Sequence, residues 1–182
     1  PIFFLSVHSS SGNLMKGLIQ RVSQASVRVE GKPLASIGTG LLLLLGVEKG
    51  DGEREARKLC RKIITYRVFP DDAGRMNRSL ADIDGSLLVI PQFTLAADTS
   101  SGTRAGFSSA AGPGEADRLY RLFVLEARSA LGAERVGEGQ FGADMKVGLV
   151  NDGPVTFLLE VGKRANASSD FFAPFFPCPG SE

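Results

Sequence analysis

The stretch LLLLLGV, Leu41 to Val47, constrains the fold more than any other. It has no polar alternation, so as a strand it must be covered on both faces, and it is too brief to cross a membrane as a helix. What precedes it reads as shorter strands, at Lys16 to Val22, Ser26 to Glu30 and Leu34 to Ile37, with GKP and GTG as turns. Asp51 to Phe69 reads as a helix: Ala56, Leu59, Cys60, Ile63 and Ile64 share one face, and Arg54, Arg57, Lys58, Arg61 and Lys62 the other. After DDAGR, a turn, and a short polar segment from Met76 to Asp84 comes SLLVIPQFTLA, a strand interrupted by Pro91. Ala97 to Gly114 is a long Gly/Ser-rich loop, and loops of this length inside a compact domain are mostly functional or disordered. Glu115 to Leu131 is a second amphipathic helix, with Ala116, Leu119, Tyr120, Phe123 and Ala127 on one face. Arg135 to Phe141, Met145 to Asn151 and Val155 to Glu160 complete the strands. Four strands, a helix, a strand, a helix and three strands predict an α/β fold with a mixed sheet and two main helices on one side.

Composition removes most side-chain chemistry. A chain of 182 residues, 43% hydrophobic and 23% charged, can bury a core without staples. Its 2 cysteines, Cys60 and Cys178, show neither metal spacing nor a disulfide framework, which reads as a reduced, cytoplasmic protein. Cys60 falls on a core stripe, where a buried thiol is the ordinary reading. The single histidine, His8, lies in the segment before Met15, so Ser-His-Asp, Cys-His and His-metal arrangements lack their central residue. No metal and no cofactor are expected. Residues 1–14 read as an extension preceding a single catalytic domain at 15–161, and 162–182 as a low-order tail with paired Phe and Pro. A net charge of +1 leaves nucleic-acid contact to a local patch. The basic helix face from Arg54 to Lys62 is such a patch, with a plain solvated face as its default reading.

Two strand segments carry proline beside polar residues: Ile90-Pro91-Gln92-Phe93-Thr94 and Asn151-Asp152-Gly153-Pro154-Val155-Thr156. Proline cannot donate to a ladder, and a broken ladder frees backbone N–H groups that can hold an oxyanion or a phosphate. A bulge or turn and a built site both remain open on local grounds. Thr94 could act as a nucleophile, but no His is available to activate it, and Asp98 reads as a loop cap.

These two motifs and their flanks resemble the D-aminoacyl-tRNA deacylases, the D-tyrosyl-tRNA deacylase family. The first motif is PQFTL (Pro91 to Leu95), where the family usually has S-Q-F-T-L, followed by AADTSSGTRAGFS. The second is NDGPVT (Asn151 to Thr156), matching N-x-G-P-V-T. The likeness extends through MKGLIQRVSQASVRVEG and YRVFPDDAGRMNRSLADIDG and covers Met15 to about Glu160. It implies a three-layer α/β/β homodimer with active sites at the interface. The implied reaction is hydrolysis of the ester joining a D-amino acid, or glycine, to the terminal adenosine of tRNA. The implied partner is the tRNA acceptor end, with no membrane association.

Carried over by the resemblance, Gly153-Pro154 is a cis pair that enters the partner's site and leaves no room for an L side chain. Arg21 braces that loop. The backbone N–H groups of Phe93 and Thr94 form an oxyanion hole, Gln92 lines the same pocket, and Phe141 and Met145 hold the adenine. The tRNA 2′-hydroxyl assists, so no side-chain base is required. Pro91, facing the same pocket, replaces the usual Ser and removes a hydroxyl and an N–H. An animal branch also has proline there, with a trans Gly-Pro, but the flanks here resemble the bacterial form, so cis is expected. Arg104-Ala105-Gly106-Phe107 stands where many members read R-P-S-F. Two other readings are a non-catalytic RNA-binding module using the basic helix and a general small-ester or peptide hydrolase using Thr94.

Overall fold

In a computed structural model, residues 14–162 are described. The expected N-terminal extension, the tail, His8 and Cys178 lie outside them. Strand β1 (Leu14–Val29), β2 (Lys32–Ile37) and β3 (Gly40–Gly46) precede helix α1 (Glu53–Ile64). The small strands β4 (Phe69–Pro70) and β5 (Met76–Arg78) pair with each other before β6 (Ser86–Pro91). Helix α2 (Pro113–Leu131), β7 (Val136–Glu138) and β8 (Met145–Gly162) follow.

The main sheet runs β2-β1-β3-β6-β7, with β8 along the other edge of β1. It is mixed: β3–β6 and β6–β7 are parallel, and the pairs with β1 are antiparallel. The run that reads as a central strand is one. Leu41, Leu43 and Leu45 of β3 join Leu87 and Val89 of β6 against α1 and α2. Their neighbours Leu42, Leu88 and Ile90 point the other way, into a second core with Val22, Ala25 and Val27. The ends of the sheet approach each other there: a Cβ on Gly137 of β7 would lie 3.1 Å from Ala35 of β2, so the sheet is nearly closed. Two cores back to back explain why β3 cannot alternate.

Helix α1 buries Ala56, Leu59, Cys60, Ile63 and Ile64, each of the larger aliphatics contributing about 1.5–3 kcal/mol. Leu59→Ala would cost about 2–5 kcal/mol. The helix stops at Ile64, short of the expected Phe69: the Tyr66 amide turns to the Ile63 carbonyl instead of continuing the ladder, and the Thr65 hydroxyl bonds back to the Arg61 carbonyl. Val68 then bonds the Arg78 carbonyl and starts the small hairpin. Helix α2 begins at Pro113, where a missing N–H costs nothing.

Two expected boundaries disappear. Lys16–Val22 and Ser26–Glu30 are one strand of 16 residues, which pairs first with β3 and then with β2. Met145–Asn151 and Val155–Glu160 are likewise one strand of 18 residues, uninterrupted by Gly153-Pro154. Arg135–Phe141 shrinks to three strand residues because β6 offers partners only as far as Val89.

Candidate active site

The first proline segment ends an interior strand. Gln92 donates its amide to the Leu45 carbonyl of β3 at 2.8 Å, so the preceding nitrogen, that of Pro91, faces the β7 side. There the ladder stops at the proline: the Gly139 amide still donates to the Val89 carbonyl at 2.8 Å, but Pro91 has no N–H to return to the Gly139 carbonyl, which meets the Tyr120 hydroxyl instead. The chain then turns into a 3-10 helix, Phe93–Ala96. Phe93 and Thr94 were expected on a strand, and this corrects that reading. The turn folds over the end of β3, which is possible because residue 46 is glycine: a Cβ there would sit 2.8 Å from the Leu95 Cβ and 3.3 Å from the Gln92 carbonyl. The N–H groups of Phe93 and Thr94 occupy the first turn, where no helical carbonyl precedes them, and neither donates to another described group. The Gln92 side-chain Nε2 donates to the Thr94 hydroxyl, fixing both side chains beside these donors.

The turn is supported from behind. The buried Tyr120 hydroxyl lies 3.1 Å from the Val89 carbonyl and 2.9 Å from the Gly139 carbonyl, tying α2 to the ends of β6 and β7. Burial pushes its phenol well above the ordinary range, helped by the Glu138 charge, so it remains a donor. A pocket at the turn is lined by Pro91, Gln92, Phe93, Tyr120 and Phe141, among others. Beside it, sharing Tyr120 and Phe141, opens a cleft of about 640 Å³. Met145 joins this group through Gly139: a Cβ on that glycine would meet the Met145 sulfur at 2.8 Å and the Pro91 ring at 3.1 Å.

The second proline segment lies on β8, whose far edge has no partner among the described residues. Gln20 pairs with Thr156 and Val22 with Asn151, so one residue of β1, Arg21, faces four of β8, Asp152 to Val155. The excess chain bulges out. The peptide bond Gly153-Pro154 within it is cis, and both residues are exposed. The Arg21 guanidinium holds the base of the bulge: Nε donates to the Asp152 carbonyl at 3.0 Å and Nη1 to the Val68 carbonyl at 2.7 Å. The Asp152 carboxylate adds an ion pair with Nε at 3.2 Å. Asn151 closes the loop by accepting from the Val155 amide and donating to the Thr156 hydroxyl, both at 3.0 Å. Gly153 has φ +131°, and a Cβ there would approach Val155 Cγ2 at 2.7 Å and Arg21 Nη2 at 3.0 Å.

The structure therefore forms two groups. Pro91, Gln92, Phe93, Phe141 and Met145 gather around one pocket, with Thr94 on the same turn. Arg21, Gly153 and Pro154 form the other. Among the described residues no hydrogen bond or ion pair joins them, and residues 151–156 do not line the pocket at the turn. Sequence reasoning missed Tyr120 as a strut, Asn151 as the loop closure and Gly46 and Gly139 as spaces for close approach. Asn151 alone left a local sign, since Asn beside a turn bonds nearby backbone.

Other chemistry is thin. Among the described residues no three His, Cys, Asp or Glu side chains group as metal ligands. Cys60 is buried and its thiol is pushed up to about 12 by that burial. No helix among them is long and apolar enough to cross a membrane. The basic face of α1 is partly neutralised: Arg57 pairs with Glu53 and Glu126 and Arg54 with Glu55, while Lys62 donates to the Glu160 backbone carbonyl.

The family model for D-Tyr-tRNA(Tyr) deacylase matches residues 18–160. The chain belongs to this family. A D-aminoacyl-tRNA deacylase of Marinobacter nauticus is 66% identical over 154 residues, spanning 85% of this chain and 99% of its own length. One from Vibrio parahaemolyticus is 55% identical over 147 residues, 81% of this chain and 100% of its own. Among solved structures, a c-Myc DNA unwinding element binding protein superposes with TM-score 0.79 at 37% identity, covering 82% of this chain and all of that one. A probable eukaryotic D-amino acid tRNA deacylase superposes with TM-score 0.73 at 16% identity over 81% of this chain and all of its own, a likeness of fold.

Proposed function

We propose that this chain hydrolyses the ester of D-aminoacyl-tRNA, and of glycyl-tRNA, releasing the amino acid and tRNA in the cytoplasm. The observation that carries the reading is the pair of free backbone N–H groups at Phe93 and Thr94, held on a braced turn in a member of this family. An aminoacyl ester is activated, so donors aimed at the developing oxyanion, with good positioning, suffice for hydrolysis. The substrate carbonyl oxygen points at the two N–H groups, water attacks the carbonyl carbon, and the ribose oxygen leaves. The neighbouring 2′-hydroxyl relays the proton. Phe141 and Met145 hold the terminal adenine beside the cleft.

Selectivity in this reading comes from a second copy. The Gly153-Pro154 bulge is exposed and does not line the pocket at the turn, and the exposed apolar residues Val150, Phe157 and Leu158 on β8 suit an interface between copies. In the homodimer the bulge enters the partner's pocket and occupies the space an L side chain would need, which is selection by exclusion.

The test is deacylation of D-Tyr-tRNA and L-Tyr-tRNA by the purified protein. Rapid release from the D form and little from the L form is expected, and Thr94→Ala should lower the rate by less than about ten-fold, since the donor is backbone. Equal release from both forms, or none from the D form, overturns the reading. Loss of all turnover in Thr94→Ala would instead favour a threonine nucleophile.

A further inference from the structure

The turn that carries the freed N–H groups also carries a feature the ester chemistry does not use. The Phe93 ring is 58% exposed, and beside it stands the Phe107 ring, 45% exposed, with centroids 5.3 Å apart and planes tilted by 49°. The two come from different segments, Phe93 from the motif and Phe107 from the long loop after it. Two large aromatic rings in contact yet open to water do little for the core of the chain that bears them.

Their placement is fixed by the backbone. Asp98 and Gly106 exchange amide–carbonyl bonds at 2.8 and 2.9 Å, closing the loop just before Phe107. The Ser109 hydroxyl donates to the Ala96 carbonyl, and the Lys49 amide donates to the Ser109 carbonyl at 2.9 Å. Both sides of Phe107 are thus tied to the turn and to the end of β3. Two exposed cations stand near the pair, Arg104 on the loop and Lys49 at the end of β3, neither in an ion pair among the described residues, while the loop's one carboxylate, Asp98, accepts from the Ser100 amide at 2.9 Å.

We propose that the Phe93–Phe107 pair, with Arg104, is a stacking platform for the nucleobase that precedes the terminal adenosine of the substrate RNA. The inference rests on the deacylase reading above, which sets the ester over the Phe93 and Thr94 amides. The ribose bearing that ester is joined through one phosphate to the preceding cytidine. The aromatic surface continuous with this turn is the Phe93–Phe107 pair, and Arg104, three residues before Phe107 and exposed, is the cation the same loop offers to that phosphate. Stacking on aromatic side chains is how proteins hold unpaired bases without requiring a base-edge code. The terminal adenosine, held at Phe141 and Met145, takes no part in it.

The experiment compares wild type, Phe107→Ala and Phe107→Tyr in two ways. The first is equilibrium binding of the trinucleotide CCA and of adenosine alone. The second is hydrolysis of D-Tyr-tRNA and of D-tyrosyl-adenosine, which lacks the preceding nucleotide. Phe107→Ala should weaken CCA binding by roughly ten-fold, leave adenosine binding unchanged, and raise KM on the tRNA without altering kinetics on D-tyrosyl-adenosine. Phe107→Tyr should restore CCA binding. Equal weakening for CCA and adenosine, or none for either, overturns the platform. So does a Phe107→Ala protein that loses self-association in sedimentation, which would assign the rings to a contact between copies. If wild type hydrolyses neither ester, the deacylase reading fails, while the binding comparison still decides whether the rings take a base.

Discussion

The two proline segments share a sequence signature and are built in opposite ways. Pro91 closes an interior strand, and the turn after it rests on β3, on α2 through Tyr120, and on the pinned loop behind it. Gly153-Pro154 rides on an edge strand and stands clear of its own domain, gripped at the base by Arg21 and Asn151. The first is a rigid seat whose donors face outward. The second is a projection, exposed at Asp152, Gly153 and Pro154. A seat and a separate projection are what the proposed site, shared between two copies, requires.

Altering the seat should have the largest effect. Gly46→Ala forces the Leu95 side of the turn away from β3 and misaims the Phe93 and Thr94 amides. We expect kcat on D-Tyr-tRNA to fall about 100-fold, the cost of losing one oxyanion donor, with a smaller change in KM. Unchanged kcat would show that the turn is not the seat.

Loosening the projection comes next. Arg21→Ala leaves the Asp152 and Val68 carbonyls without their charged donor, and hydrogen bonds of that kind are worth about 1.5–3 kcal/mol. We expect about a ten-fold loss of kcat/KM on D-Tyr-tRNA together with a measurable rise in release from L-Tyr-tRNA. Arg21→Lys should restore only part, because one ammonium cannot span both carbonyls as the planar guanidinium does. Full activity with intact D preference in Arg21→Ala would remove the arginine from the account.

The smallest effect lies behind the seat. Glu48 bridges to Ala110 of the loop, receives Lys16 at 2.6 Å, and donates its amide to the Asp51 carboxylate at 2.7 Å. Burial pushes the Asp51 carboxyl up to about 6, with the Glu48 and Glu55 charges adding and the Glu48 amide and Lys16 opposing. A carboxyl raised in the folded state binds more protons there than in the unfolded chain, so its contribution to stability declines as pH rises through the window up to about 6. Asp51→Asn keeps an oxygen for the Glu48 amide and removes the charge. Thermal melts at pH 4.5 and pH 7.5 should show the variant gaining on wild type by a few degrees at the higher pH. A constant difference would place no titration there.

Much of this architecture was legible from the residues. The uninterrupted leucines of β3 announced a strand covered twice, and the two helical stripes named the residues that α1 and α2 bury. Both motifs flagged the segments where the backbone leaves regular pairing. What escaped was anything set by partners distant in sequence. Phe93–Ala96 reads as strand because its apolar content is the same in a strand or a 3-10 turn; only the end of β7 and the space over Gly46 decide. Asn151–Thr156 reads as a break between strands because local rules make Gly-Pro a terminator, yet β1 holds both sides in register and lets four residues bulge against one. The Phe93–Phe107 contact depends on how the long loop is pinned at Ser109, which no local pattern reveals.

The central claim is that seat and projection meet between copies, and co-expression of two damaged chains tests it most directly. Gly46→Ala damages the seat. Gly153→Val places a branched side chain at φ +131°, against Val155 and Arg21, and damages the projection. Each variant alone should be nearly inactive on D-Tyr-tRNA, Gly46→Ala because its donors are misaimed and Gly153→Val because the displaced, enlarged bulge takes up the space of the substrate itself. In a random mixture half of the dimers are mixed, and each mixed dimer holds one site with an intact seat from one chain and an intact projection from the other. Activity should therefore return to roughly a quarter of wild type. A mixture no more active than the two variants separately would contradict a site completed across the interface.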